Sequence, residues 1–192
     1  MVKFLGHASI YLNTGQTSLV VDPWFTKKGA FLNTWFQFPD NTDIDAIVIH
    51  CISLPEGIYG NDNVSDLFQN KLNTSKGSIF TSLKDLRVSS HIFIKRTGKL
   101  IQFVPFHKRA WHAGVSEYSG RTHYNDFSIG IELEGTTKSQ YTDTQYEVLS
   151  ELISLLKSSY NNIKDSNIIG HNEISPDRKE DPGPYFDWSR IK

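Results

Sequence analysis

The chain has 192 residues, enough for one domain or one domain with an appendage. Its 20 Lys and Arg against 21 Asp and Glu give a formal net charge of −1, so nothing in the balance calls for nucleic acid or an anionic membrane as partner. A single cysteine, Cys51, excludes an internal disulfide, no run approaches the roughly 20 apolar residues of a membrane span, and residues 1–7 lack the apolar stretch of a secretory signal, which together predict a soluble cytoplasmic protein.

In chain order, Ser9-Ile10-Tyr11-Leu12 and Ser18-Leu19-Val20-Val21 flank Asn13-Thr14-Gly15-Gln16 and read as a β-hairpin. Residues 22–41 follow, rich in aromatics (Trp24, Phe25, Phe31, Trp35, Phe36, Phe38) and fitting neither the helical nor the strand period. Ile44-Asp45-Ala46-Ile47-Val48-Ile49 is a short β-branched run, expected as a buried strand that ends on His50. A helix is expected over residues 64–72. Two further β-like runs, 90–95 and 100–104, are joined through Thr97-Gly98 as a second hairpin.

From Phe127 to Leu133 apolar and polar residues alternate, which turns Glu132 away from the face that Ile129, Ile131 and Leu133 bury. Thr142-Asp143-Thr144-Gln145 has the form of a capping box and opens the clearest helix, with Leu149, Leu152, Ile153 and Leu156 at three- and four-residue spacing. Asn161-Asn162 is expected to stop it. Ile168-Ile169-Gly170 reads as a brief strand ending on His171, followed by a polar loop to Pro184 and a turn near Trp188. Strands alternating with helices predict an α/β fold, a central mixed β-sheet flanked by helices, with the N-terminal hairpin as an extension.

Two histidines at strand ends, His50 and His171, with Asp181 ten residues after the second, supply three N/O donors, the layout of a catalytic zinc site with one open position. Spacing alone favours the plainer reading of two strand-end histidines bonded to backbone. Cys51 is not a fourth donor, because adjacent strand residues face opposite ways; a small buried apolar role is expected for it.

Longer motifs decide between these readings. The segments Leu86-Arg87-Val88-Ser89-Ser90-His91, Lys108-Arg109-Ala110-Trp111-His112-Ala113-Gly114, Asn125-Asp126-Phe127-Ser128-Ile129-Gly130-Ile131-Glu132-Leu133-Glu134-Gly135-Thr136 and Pro176-Asp177-Arg178-Lys179 with Asp181-Pro182-Gly183-Pro184 resemble the zinc-dependent N-acetylmuramoyl-L-alanine amidases, specifically the cytoplasmic anhydro-muramoyl type of peptidoglycan recycling. The resemblance covers residues 43–192 and implies an amidase domain over 42–192 that cuts the bond between the muramoyl lactyl group and L-alanine in small muropeptides.

It further implies Zn2+ held by His50, His171 and Asp181, with Glu132 as general base and Lys179 as the cation facing the oxyanion. Trp111 and His112 are candidates for contact with sugar or peptide, Arg87 and Arg121 for gripping a peptide carboxylate bidentately. Glu134, on the same strand face as Glu132, is expected to be structural. Two departures bear on substrate detail: Cys51 stands where the family commonly has asparagine, and His123 where an arginine is expected. A monomer is expected. The alternative from another class is a peptidoglycan-binding module on the same fold that recognises without cutting.

Residues 1–41 resemble something else. Phe4-Leu5-Gly6-His7-Ala8-Ser9, Asp22-Pro23-Trp24-Phe25 and Trp35-Phe36-Gln37-Phe38-Pro39-Asp40-Asn41 are similar to the opening strands of metallo-β-lactamase-fold hydrolases. The histidine and aspartate cluster that should follow is missing after His50, so His7 is expected to be structural and residues 1–41 an N-terminal extension.

Overall fold

The computed structural model describes residues 44–192 in full and, before them, the backbone of three short strands. Strands β1 (Val2–Phe4), β2 (Ile10–Asn13) and β3 (Ser18–Val21) form an antiparallel sheet in that order. The β2–β3 pairing runs from Ile10 opposite Val21 to Asn13 opposite Ser18, which is the expected hairpin. His7, the aromatic stretch 22–41 and the boundary at residue 41 lie outside the described residues, and the metallo-β-lactamase likeness falls there too, apart from the backbone of these strands.

The rest is built around a second sheet. Its elements are β4 (Ala46–Ile52), β5 (Ile92–Ile94), β6 (Leu100–Gln102), β9 (Ser128–Glu134) and β10 (Ile168–Gly170), in the order β10-β4-β9-β5-β6. The first four in that order are mutually parallel, and only β6 runs against its neighbour, so the sheet is mixed as expected. Between β4 and β5 lie α1 (Asn63–Phe68) and α2 (Ser78–Thr81). A small ribbon of β7 (Glu117–Tyr118) and β8 (Arg121–Thr122) precedes β9. The long α3 (Asp143–Ser159) connects β9 to β10, and α4 (His171–Ile174) follows β10 directly.

Alternation decides which side chains meet which layer. Ile47 and Ile49 of β4, Ile129, Ile131 and Leu133 of β9, and Ile92 and Ile94 of β5 pack with Leu149, Leu152, Ile153 and Leu156 of α3. Burying each such side chain is worth roughly 1.5–3 kcal/mol, so this layer supplies most of the cohesion. On the other side, Ala46 and Val48 pack with Ala113, Tyr124, Phe127 and Ile169. Every residue of β9 is buried, so the face carrying Ser128, Gly130, Glu132 and Glu134 is covered by protein rather than by solvent.

Several boundaries differ from the sequence reading. Strand β4 continues two residues past His50, to Ile52, because β9 offers it a partner through Glu134. Helix α1 stops at Phe68 rather than at 72: Gln69 caps it and Asn70 takes a left-handed conformation (φ 56°), which asparagine tolerates and which ends a helix. The β5–β6 hairpin is shorter than predicted, its turn carried by Gly98 at φ 79°.

The helix start at Thr142 is as read. The Thr142 hydroxyl accepts from the Gln145 N–H (3.2 Å) and donates to the Arg96 carbonyl (2.8 Å), while Gln145 Oε1 accepts from the Thr142 N–H (3.1 Å). The buried Gln145 amide also donates to the carbonyls of Ile94 and Glu134, both at 3.1 Å, tying the helix to two strands. Removing the cap with Thr142→Ala is expected to cost about 1 kcal/mol. For a chain of this size that lowers the unfolding midpoint by about 2–4 °C, to be read by calorimetry.

Candidate metal and catalytic site

Register brings the site together. On the parallel pair β4–β9, His50 lies directly beside Glu132, and on the pair β10–β4, Gly170 lies beside Ile49, so His171 at the start of α4 arrives next to His50. Three neighbouring parallel strands therefore deliver His171, His50 and Glu132 at their carboxyl ends, where open α/β sheets place their ligands. The polar loop after α4 returns Asp181 to the same point, held by the Asn172 N–H donating to the Asp181 carbonyl (2.9 Å).

The donor atoms converge closely. His50 Nδ1 is 2.9 Å from His171 Nδ1 and 3.2 Å from Asp181 Oδ2, and His171 Nδ1 is 3.1 Å from the same oxygen. Ligands bonded to zinc at about 2.0–2.2 Å in a tetrahedral array stand roughly 3.3–3.6 Å apart. Two imidazole nitrogens and a carboxylate oxygen at this separation fit a zinc ion after small adjustment.

Electrostatics within this cluster are set by burial. Burial, with the neighbouring His171, lowers His50 to about 4, so its ring is neutral at physiological pH. His112 is likewise held well below the usual imidazole range, first by burial and then by His50, His91 and His171. Burial works against the Asp181 charge, but hydrogen bonding to His171 and His50 outweighs it and keeps this carboxyl well below the ordinary range. Neutral imidazole and ionised carboxylate are the forms that bind a metal.

Glu132 has the opposite setting. It is buried, its Oε2 has no hydrogen-bond partner among the described residues, and its pKa is raised well above the usual carboxylate value by burial and then by Asp181, with Lys179 opposing. A buried, unpartnered carboxylate with a raised pKa is suited to accepting and releasing a proton. Lys179 lies on the wall of the same cleft. Glu134, its neighbour on the strand face, accepts the N–H groups of Gly60 (2.6 Å) and Arg96 (2.9 Å) and pins two loops.

A cleft of about 540 Å³ opens over these groups, lined by Glu132, His171, Lys179 and Asp181 with His112, Trp111 and Arg87. Trp111 stands between this cleft and a larger one of about 1020 Å³, and the Arg109 guanidinium lies 4.0 Å over its ring. His123, left-handed at φ 63°, and Arg178 line the larger cleft. Arg87 sits at the rim, exposed, donating to the carbonyls of Lys84 and Leu86. Arg121 is not brought to the site: it pairs with Asp45 at 2.8 Å, lies 3.7 Å over the Phe127 ring, and lines neither cleft. Cys51 turns to the α3 side and packs against that core, its thiol pushed up to about 12 by burial.

Some of the groups around the site were not singled out from sequence. Asn125 Oδ1 accepts the N–H groups of His112 (3.0 Å) and Ala113 (2.8 Å), and the Ala113 carbonyl accepts from His171 Nε2 (3.0 Å) and Arg178 Nη2 (2.7 Å). A backbone carbonyl leaves no trace in residue type. The Asn125 side chain could have been suspected only from its place in a polar turn just before β9.

A family model described as N-acetylmuramoyl-L-alanine amidase matches residues 40–184. The chain belongs to the N-acetylmuramoyl-L-alanine amidase family. It is 49% identical over 154 residues to the 1,6-anhydro-N-acetylmuramyl-L-alanine amidase AmpD of Salmonella typhimurium, covering 80% of this chain and 82% of that one. The crystal structure of a selenomethionine AmpD derivative superposes with a TM-score of 0.79 at 46% identity, over 82% of this chain and 87% of the other. The Escherichia coli amidase AmiD, solved as a complex with anhydro-N-acetylmuramic acid-L-Ala-D-γ-Glu-L-Lys, superposes at 0.56 and 32% identity, over 80% and 58%. Amidases of this family hydrolyse an amide between muramic acid and alanine, and this chain is an amide hydrolase of that kind.

The raised pKa of Glu132 means that the folded chain holds its proton more tightly than the unfolded chain does. Ionised Glu132 therefore costs stability above its folded pKa, and the cost disappears below the unfolded value near about 4.3. Metal-free Glu132→Gln is expected to unfold at a higher temperature than the parent protein at pH 8, with the gap closing toward pH 4. Thermal melts at both pH values check this.

Proposed function

We propose that the chain is a zinc-dependent amidase that cuts the lactyl–L-alanine bond of soluble anhydro-muramoyl peptides in the cytoplasm, using His50, His171 and Asp181 for the metal. The observation that carries it is the meeting of His50 Nδ1, His171 Nδ1 and Asp181 Oδ2 within 2.9–3.2 Å beside a buried, unpartnered carboxylate. The anhydro preference is supported by the names of the AmpD relatives and by the substrate in the AmiD complex. Cytoplasmic action is in keeping with those relatives, and no described helix is long and apolar enough to cross a membrane. A single chain supplies the complete donor set, so a monomer suffices.

Zinc held there supplies Lewis-acid chemistry, polarising a carbonyl oxygen and bringing the pKa of water to roughly 7. Glu132 takes the proton of the attacking water and later delivers one to the departing alanine nitrogen, a double role for which a carboxylate with a raised pKa is suited. The Lys179 ammonium, on the cleft wall, faces the oxygen on which negative charge develops, where a water-poor cleft strengthens the attraction. Trp111 offers a flat surface to the sugar or peptide, and Arg87 at the rim is free to swing toward a peptide carboxylate. Arg121, engaged with Asp45, is given no part.

Release of peptide from an anhydro-muramoyl tripeptide tests the reading. Activity should vanish with a chelator, return with zinc and be absent in Asp181→Ala. Glu132→Gln should lower kcat by about 10²–10⁴ and Lys179→Ala by about 10²–10³, both while still binding zinc. Tight binding of the tripeptide without cleavage by the zinc-loaded protein would instead favour the recognition module.

A further inference from the structure

We propose that His112 is a positioning residue for the metal site: with Ser128 behind it, it fixes the tautomer and ring orientation of His50, while the carbonyl of the next residue, Ala113, does the same for His171. This rests on the zinc reading above and goes beyond it, because it moves His112 from the substrate to the support of the metal.

The Tyr124 carbonyl can only accept, and it fixes the first hydrogen. The Ser128 hydroxyl donates to the Tyr124 carbonyl, so its single hydrogen is committed and its oxygen is left as an acceptor. His112 Nε2 lies 3.5 Å from that oxygen, a long contact, and the ring also hydrogen-bonds to the Ser128 backbone; with acceptors on that side, a neutral ring carries its hydrogen on Nε2. His112 Nδ1 is then a bare acceptor. It lies 3.0 Å from His50 Nε2, which must carry a hydrogen to make that contact, and the His50 Nδ1 lone pair is left facing His171 and Asp181.

His171 is set in the same way by a different acceptor. Its Nε2 donates to the Ala113 carbonyl at 3.0 Å, so its Nδ1 is bare as well. With both rings in these neutral tautomers, two imidazole lone pairs and the Asp181 oxygen face one point at 2.9–3.2 Å, the arrangement a cation fills; a proton held there makes the hydrogen bonds to Asp181 in its place. Outer partners of this kind raise the basicity of a ligand and hold its ring in place.

The His112-Ala113 dipeptide is itself built to stay put. Asn125 Oδ1 accepts both of its N–H groups, at 3.0 and 2.8 Å. Gly130 of β9 leaves the space that the His112 ring fills: a Cβ on Gly130 would stand 2.3 Å from His112 Cγ. The ring meets His50 edge-on, centroids 5.0 Å apart at 81°, an arrangement compatible with a hydrogen bond between ring nitrogens. One dipeptide, pinned by one asparagine, orients both histidines.

The test is zinc affinity, measured on the purified full-length chain by competition with a chromophoric chelator, with melting of the metal-free proteins as the control for folding. His112→Ala is expected to weaken zinc binding roughly 10- to 100-fold. His112→Asn, which keeps an acceptor close to the Nδ1 position, should recover most of the loss. Ser128→Ala, which lets the His112 tautomer exchange, should weaken it less than His112→Ala does. If His112→Ala binds zinc as tightly as the parent and only raises KM for the muropeptide, His112 is a substrate group and the inference falls. If the parent itself holds no zinc, the metal reading fails and takes this one with it. Should His112→Ala not fold, weaker zinc binding in Ser128→Ala than in His112→Asn and the parent supports the ring's acceptor role; equal affinity in all three overturns it.

Discussion

The constraint on which the site depends is the parallel register of β10, β4 and β9. A parallel pair sets residues side by side with their side chains on the same face, so pairing Ile49 with Gly170 and His50 with Glu132 leaves little freedom in where His50, His171 and Glu132 stand. A slip of one residue on β9 would turn Glu132 into the α3 core and bring Ile131 or Leu133 to the face that carries His50. The isoleucine and leucine layer against α3 forbids that slip, because it would expose the apolar set and bury the polar one. The chemistry is thus positioned by the same packing that stabilises the sheet.

That packing also sets the electrical character of the site. The segment carrying Ala113, Tyr124 and Phe127 covers the second face of β4 and β9, and it keeps water away from His50 and Glu132. Without water the His50 ring stays neutral and the glutamate holds its proton more tightly, so one act of burial prepares both a neutral imidazole donor and a carboxyl that keeps its proton. Asp181 escapes the effect only because two histidines hydrogen-bond to it. The cost of burying Glu132 without a partner is borne by the surrounding layers, as expected where function asks for a strained polar group.

Much of this was legible in the sequence because the signals were local. Alternation gave β9 and the side of the sheet on which Glu132 lies, the capping box gave the start of α3, and long motifs gave the family. What was not legible depended on partners distant in the chain. His50 read as the end of a strand because the apolar run stops there, yet β9 extends the strand to Ile52. Arg121 read as a carboxylate clamp, and it is one, but for Asp45, 76 residues earlier. The cover over the second face of β9 left no periodic mark either, since it comes from an irregular segment.

His112 shows the same limit at the level of a single ring. A histidine in a Trp-His-Ala-Gly run beside a cleft offers the sequence reader two plausible roles, and lining the cleft does not separate them. What separates them is where its two nitrogens go: one meets His50, the other a serine whose only hydrogen is already given to a carbonyl. A group with both ring nitrogens engaged inside the protein has no hydrogen bond left for a sugar or peptide, and only the faces and edges of its ring remain for contact. Hydrogen-bond capacity is finite and countable, so the two ring nitrogens tie His112 to His50 and Ser128 by chemistry that proximity to the cleft cannot supply.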